Sequence, residues 1–321
     1  MQPTVGKYLS NRLLQFIPIL FGISVVSFLI IHLAPGDPTG LLVNVEILPD
    51  EELLEVRKSL GLEEPLPVQF VKTMGALLTG RLDSFETAQP TWVMILEGLP
   101  ITLSLMAGSL LFAVVFGIPL GVVSATRPYT NLDNSLTVFS LFGISIPQFW
   151  LGLMLIYVFA ESWGWFPATG WMSDDPGPFP VLDVLRHLIL PVVVLGTVSL
   201  PPIVRYTRNA MMESLDQDYV RTARSKGLPS ARVIYRHALK NSLLPVVTVL
   251  GMLIPLMLGA TVVVEYVFAL PGIGSMAISA ALLRDYPVVI TINIMAAVLA
   301  LTAGLFVDIA YSLLDPRIKH T

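Results

Sequence analysis

The chain has 321 residues, of which 54% are hydrophobic and only 13% charged, about half the charged fraction of an average soluble domain, so a water-soluble fold of this size is excluded. It contains no cysteine, which excludes disulfides, thiolate metal sites and a cysteine nucleophile and leaves the redox compartment open. The net charge of -4 is small, and where the charges sit along the chain carries more information than their sum.

A membrane-spanning helix needs about 20 apolar residues, and a charge at its centre costs about 2.5–3.5 kcal/mol, so charge-free windows are the first signal. The first window covers 13–36. Lys7 and Arg12 flank it, yet it outruns the apolar core of a signal peptide and no small-x-small cleavage site follows, which predicts an uncleaved span. Residues 37–97 carry eleven acidic and four basic side chains and predict a folded excursion with two helices. Asp50 is expected to cap a helix through Glu55 to Leu60, with Glu51 and Glu52 in its first turn and Gly61 at its end. The second is expected over about 67–79, where Phe70, Val71, Met74, Leu77 and Leu78 form an apolar stripe suited to packing on the spans or on the membrane.

Further windows cover 98–126, 134–160, 187–204, 241–264 and 286–307. The linker 161–186 carries Trp163, Trp165, Phe166, Trp171 and Phe179, read as anchors at the membrane interface, with a substrate-stacking role as the alternative. Pro147, Pro191, Pro201, Pro202 and Pro255 are expected to kink their spans. A seventh apolar stretch, 266–283, holds Pro271, Gly272 and Gly274, and these breakers favour a re-entrant or interfacial segment over a span.

The basic residues choose six spans with the N-terminus inside. Lys7, Arg12, Arg127, Arg205, Arg208, Arg221, Arg224, Lys226, Arg232, Arg236, Lys240, Arg317 and Lys319 then face the cytosol, thirteen of nineteen. A seventh span would strand Arg317 and Lys319 outside.

The stretch between the fourth and fifth spans, within 205–240, is too patterned for a linker. Met212, Leu215, Tyr219 and Thr222 with Ala223 recur at helical spacing. Gly227 is expected to end that helix, Pro229 to follow the stop, and Ser230 to cap a short helix carrying Val233 and Ile234. The small Ala223 at the elbow predicts a knob whose own backbone can approach a partner closely. A basic loop that merely holds orientation is the plainer alternative.

This stretch resembles the cytoplasmic Glu-Ala-Ala loop of binding-protein-dependent ABC importer permeases, specifically the dipeptide, oligopeptide and nickel group. Arg221, Thr222 and Ala223 stand at the Glu-Ala-Ala positions and Gly227 follows after three residues; only Ala223 and Gly227 match the strict form. The usual Leu-Pro falls later, at Leu244 and Pro245, with Leu239 and Lys240 at the standard offset. The resemblance extends over almost the whole chain through LAPGDP at 33–38, GLEEPLPVQF at 61–70, SIPQFWLGLMLI at 145–156, EYVFALPGIG at 265–274, RDYPVV at 284–289 and LLDPRIK at 313–319. The usual GDLG-like stretch is degenerate, reading GRLDSF at 80–85.

The expected fold class is therefore an all-α polytopic membrane protein forming one permease domain over 1–321. It comprises a first helix within 1–36, an extracytoplasmic excursion over 37–97, and a five-helix core over 98–321 that holds the coupling loop. The resemblance implies a multi-pass protein of the inner membrane with both termini cytoplasmic, surrounded by lipid. It also implies a second homologous permease, most simply in a heterodimer, together with two ATPase subunits and an extracytoplasmic solute-binding protein. No nucleic-acid partner is expected. The chain lacks the G-x-x-x-x-G-K-[ST] phosphate cradle, so no cofactor is expected on it and ATP and Mg²⁺ belong to the partner ATPases. ATPase coupling is assigned to Asp218, Tyr219, Arg221, Ala223, Arg224, Gly227, Leu228 and Pro229.

Candidates for the substrate pathway are the polar span residues Ser145, Gln148, Ser199, Thr248 and Asn293 with Glu265 at the end of the fifth span; hydrogen bonding between helices is their competing role. Asp308 lies well inside a span and reads as an ion-pair or partner-subunit residue ahead of a substrate ligand. His32 reads as packed or interfacial. An intramembrane protease would need H-E-x-x-H, a serine elbow with a partnered histidine, or two intramembrane aspartates, and none is present. A self-contained secondary transporter would need coupling-ion carboxylates at the midplane, which are missing. Within the importer reading the solute stays open among dipeptides, oligopeptides, nickel complexes, glutathione and small oligosaccharides.

Overall fold

The computed structural model describes residues 5–33 and 50–314, with side chains at 12–33 and 54–306. The expectations placed on Arg317 and Lys319, on the side chains of Lys7, Asp50, Glu51, Glu52 and Asp308, and on most of the 33–38 and 313–319 signatures lie outside the described residues. Everything regular among the described residues is helical: α1 (Val5–Leu33), α2 (Asp50–Ser59), α3 (Leu66–Leu78), α4 (Thr91–Thr126), α5 (Asn131–Ser145), α6 (Gln148–Leu155), α7 (Pro180–Leu215), α8 (Asp218–Ser225), α9 (Ser230–Arg232), α10 (Leu239–Val267), α11 (Ile273–Leu282) and α12 (Tyr286–Leu314). Wider π-helical turns continue α6 over Ile156–Ser162 and join α9 to α10 over Val233–Ala238.

Among the described residues five helices are long and apolar enough to cross a membrane, and a sixth crossing exists if α5 and α6 with its π turn count as one. That pair departs from the straight or kinked span expected over 134–160, because it is bent by 98°. The cause is Pro147, which cannot donate to the helix ladder and pushes the residue before it out of helical conformation. Ile146 is extended (φ -91°, ψ 128°) and so is Pro147 itself (φ -58°, ψ 131°). The stretch expected to be re-entrant or interfacial holds only α11, ten residues long, too short to span.

The residues group into two compact units. The first takes residues 1–102 and 271–301. In it α3 turns Phe70, Met74 and Leu77 inward, while Val71 and Leu78 are exposed. The predicted stripe thus splits, since residues i, i+4 and i+7 share a face and Val71 and Leu78 lie one residue further round. Phe28 and Ile31 of α1 pack with Tyr286 and Ile290 of α12, with Phe70 and Met74 against them. His32 is packed, its Nε2 3.0 Å from Gln69 Oε1 and its ring 4.0 Å from that of Phe28. Gly61 ends the excursion's first helix, α2, in a left-handed conformation (φ +71°). The start of α11 lies close to α4, where Thr102 Oγ1 accepts from Ile273 N at 2.9 Å.

The second unit takes residues 103–270 and 302–321. Ala113 of α4, Leu200, Ile203 and Val204 of α7, and Val246, Val249 and Leu253 of α10 make its apolar centre. Small residues set the spacing of α4 and α7: Gly108 faces Val192, Gly117 faces Ile203, Gly121 faces Thr207, and Phe112 fills the notch at Gly196. The nearly constant offset of these pairs shows that α4 and α7 run parallel, which the return through α5 requires. Gly143 of α5 lies against the Thr197 carbonyl of α7.

Candidate functional site

In the second unit α7 does not continue into the helix expected to follow it. It stops at Leu215, Gln217 is extended (φ -72°, ψ 150°), and α8 starts afresh at Asp218. Asp218 in the first turn and Arg224 in the last match the positive and negative ends of the helix dipole. The far end is a Schellman motif: Gly227 N donates to Arg224 O at 2.9 Å and Leu228 N to Ala223 O at 3.4 Å, and Gly227 has φ +74°. A Cβ at Gly227 would meet nothing within 4 Å, so the glycine is required by backbone conformation and not by space. Pro229 (φ -57°, ψ 141°) precedes α9 without a side-chain cap. Ser230 is the first helical residue and not the cap expected of it, because the carbonyl of Pro229 already receives Arg232 N and Val233 N.

The restart at Asp218 changes which side of α8 is buried. Val220 and Ala223, the latter only 5% exposed, join Val122 and Ala125 of α4, Met211 of α7, and Val233 and Ala238 in one apolar core, with Leu228 packed against it. Ala223 is therefore not a knob offered to a partner; its small side chain lets α8 sit close on its own chain. The outward side carries Asp218 (side chain 95% exposed), Arg221 (70%), Thr222, Arg224, Ser225, Lys226 and Pro229. Tyr219 is part-exposed, and its hydroxyl shares a 2.5 Å hydrogen bond with Ser214 Oγ, which also donates to Ala238 O at 3.0 Å. Ser242 Oγ donates to Ala210 O at 3.1 Å. The loop is thus a braced, charged platform held on an apolar base. Of the eight residues assigned to it, Ala223 and Leu228 build the base, Gly227 shapes the turn, and Asp218, Tyr219, Arg221, Arg224 and Pro229 reach the surface.

Beside the platform lies a pair that pattern reading did not single out. Asp133, 2% exposed, accepts from Arg208 Nε at 2.8 Å, Arg208 Nη2 at 2.7 Å, Tyr129 N at 2.9 Å and the Ser124 hydroxyl. Thr130 Oγ1 caps α5 by accepting from Asp133 N at 3.3 Å. The Thr-x-x-Asp spacing at 130–133 is the signal that sequence reading had available.

The candidate pathway residues do not form a comparable group. The Ser145, Ser199 and Thr248 hydroxyls donate back to Leu141 O (3.1 Å), Leu195 O (3.5 Å) and Leu244 O (3.2 Å) of their own helices, not across helices. Ser199 and Glu265 are buried. Gln148 is half-buried just past the bend at Pro147, Ser145 is exposed, and Asn293 is exposed in the first unit.

The family model described as "Binding-protein-dependent transport system inner membrane component" matches residues 117–320, and its companion for the N-terminal part matches 5–106. The chain belongs to this family of permease subunits. Over 98% of its length it is 41% identical to the whole of the oligopeptide transport system permease protein AppB of Bacillus subtilis. It is 40% identical over 98% of its length to 99% of the di/tripeptide transport system permease protein DppB of Pseudomonas aeruginosa, and 35% identical over the same shares to the dipeptide transport system permease protein DppB of Escherichia coli K12. Among solved structures, a chain of the inward-facing MetNI methionine ABC transporter superposes with a TM-score of 0.55 over 71% of this permease and 100% of that chain, at 18% identity, a likeness of fold.

Proposed function

We propose that this permease subunit forms half of the translocation pathway of an ATP-driven importer of dipeptides or oligopeptides, and that its α8 platform receives a cytosolic ATPase. The observation that carries the reading is the build of that platform: a short helix locked by an apolar base and a glycine stop, with a polar, mostly basic face left outward. The relatives' names support peptides as the solute class. The spread of basic residues supports an inner-membrane topology with both termini cytoplasmic, and the bundle ends bearing Arg127, Arg205, Arg208 and α8 on the cytosolic side. ATP and Mg²⁺ are assigned to two partner ATPases; a second, homologous permease completes the pathway, and a solute-binding protein delivers from outside. Both compact units act as one permease domain. Gln148, Ser145 and Asn293 are the more accessible pathway candidates, whereas Ser199 and Glu265 are enclosed by the chain and serve its packing in this conformation.

The test is recovery of the chain from detergent-solubilised membranes as wild type and as Gly227→Asp, with identification of copurifying chains and their ATPase activity. An ATPase that accompanies the wild type and is lost or uncoupled with the variant supports the reading. An active transporter isolated without any ATPase overturns it.

A further inference from the structure

We infer that Asp133 and Arg208 are positioning residues for transport: their ion pair latches α5 to the block of α4, α7 and α8, so that a displacement of the platform carries all three spans. The inference rests on the assignment of α8 as the ATPase platform. The apolar core beneath α8 draws on α4, α7 and the segments around α9, but on no residue of α5. At this end of the unit the polar tie from α5 is Asp133, whose carboxylate is held by the side chains of Arg208 on α7 and Ser124 on α4. Arg208 lies three residues, just under one helical turn, before Met211, the member of that core contributed by α7. Two parallel N–H···O bonds fix orientation as well as distance, so the pair resists rotation of α5 about its axis as well as separation from α7. The Arg208 guanidinium also sits 5.8 Å from the centroid of the Tyr129 ring in the α4–α5 turn. With Asp133 buried and Arg208 half-buried, the pair adds little net stability, and that leaves geometry as what it supplies.

The experiment uses the assembled transporter in proteoliposomes with its own solute-binding protein, radiolabelled dialanine or trialanine outside and ATP inside. It reads peptide imported per ATP hydrolysed. Asp133→Asn and Arg208→Gln are each expected to assemble and hydrolyse ATP, while import per ATP falls about tenfold, a loss in the range seen for residues along a coupling path. The double variant should be no worse than the single ones, as for two members of one interaction. A role in stability alone would lower the yield of complex and leave the ratio untouched, and an unchanged ratio overturns the inference. Should either single variant fail to assemble, Arg208→Lys decides, since it keeps the charge and loses the two-pronged geometry: a reduced ratio supports the latch and an unchanged ratio overturns it. Failure of the platform assignment shows separately, as undiminished ATPase recovery with Arg221→Glu on the outward face of α8.

Discussion

Asp285 and Ser84, far apart in the sequence, meet in the interior of the first unit, where the buried Asp285 carboxylate accepts the Ser84 hydroxyl together with Phe85 N at 3.2 Å. Glu86 N at 3.5 Å and Val288 N at 3.4 Å, the latter in the first turn of α12, point at the same carboxylate. The degenerate GRLDSF stretch thus ends in a turn fastened to the start of the last helix. Asp285→Ala would leave a hydroxyl and backbone amides without their acceptor, at a cost of about 1–3 kcal/mol for a buried group left unpaired. The expected outcome is a lower thermal unfolding midpoint in detergent, with Asp285→Asn falling between the variant and the wild type.

Ala223 and Arg221 sit two residues apart on opposite sides of α8 and are expected to fail in different ways. Ala223→Leu adds bulk to a filled core and should cost about 1–3 kcal/mol of stability. Arg221→Glu is a surface change worth within about 0.5 kcal/mol, yet it reverses a charge on the proposed ATPase face. Unfolding curves should separate the first from wild type, and ATPase copurification should separate the second.

Gly121 and Gly143 each lie where another helix leaves no room. A Cβ on Gly121 would come within 2.6 Å of Thr207 Cβ and 2.8 Å of Val204 O, and one on Gly143 would strike the Thr197 carbonyl. Gly121→Ala and Gly143→Ala should each destabilise by about 1–3 kcal/mol, as overpacking of a close contact does. Gly259, with nothing within 4 Å, is the internal control: its alanine variant should be neutral or slightly stabilising because alanine is the better helix former.

Pro147 is expected to hold the 98° bend between α5 and α6. Because the chain has no cysteine, spin labels at introduced cysteines report cleanly. In Pro147→Ala, labels near residues 134 and 160 should show a population at longer separation than in the wild type; an unchanged distance distribution would mean that packing alone sets the bend.

The parts legible in the sequence were the local ones. Gly227 and Pro229 announce the end of α8 because the stop motif is written within a few consecutive residues, and the charge-free windows locate the spans because hydropathy is a property of each segment. The bend at Pro147 was undersized for the same reason: a span-length window averages composition and is blind to one extended residue pair. The spacing from Met212 to Ala223 predicts one continuous helix and therefore the wrong phase for α8. The extended Gln217 resets the helical angle, and Val220 with Ala223 turns inward. The Asp133–Arg208 and Ser84–Asp285 pairs join distant segments, and no single-chain periodicity reports which distant charge a buried carboxylate will find.

The parallel notches of α4 and α7 also limit how the molecule can move. A slip of one helical turn, about 5.4 Å, would bring Val192 opposite Phe112 in one direction and Phe112 opposite Leu200 in the other, large against large where a glycine now makes room. Neither helix can therefore ratchet along the other without unpacking. Any movement within this unit must therefore carry the two helices together as a stiff lever, leaving the compliance to joints such as the broken helix at Pro147.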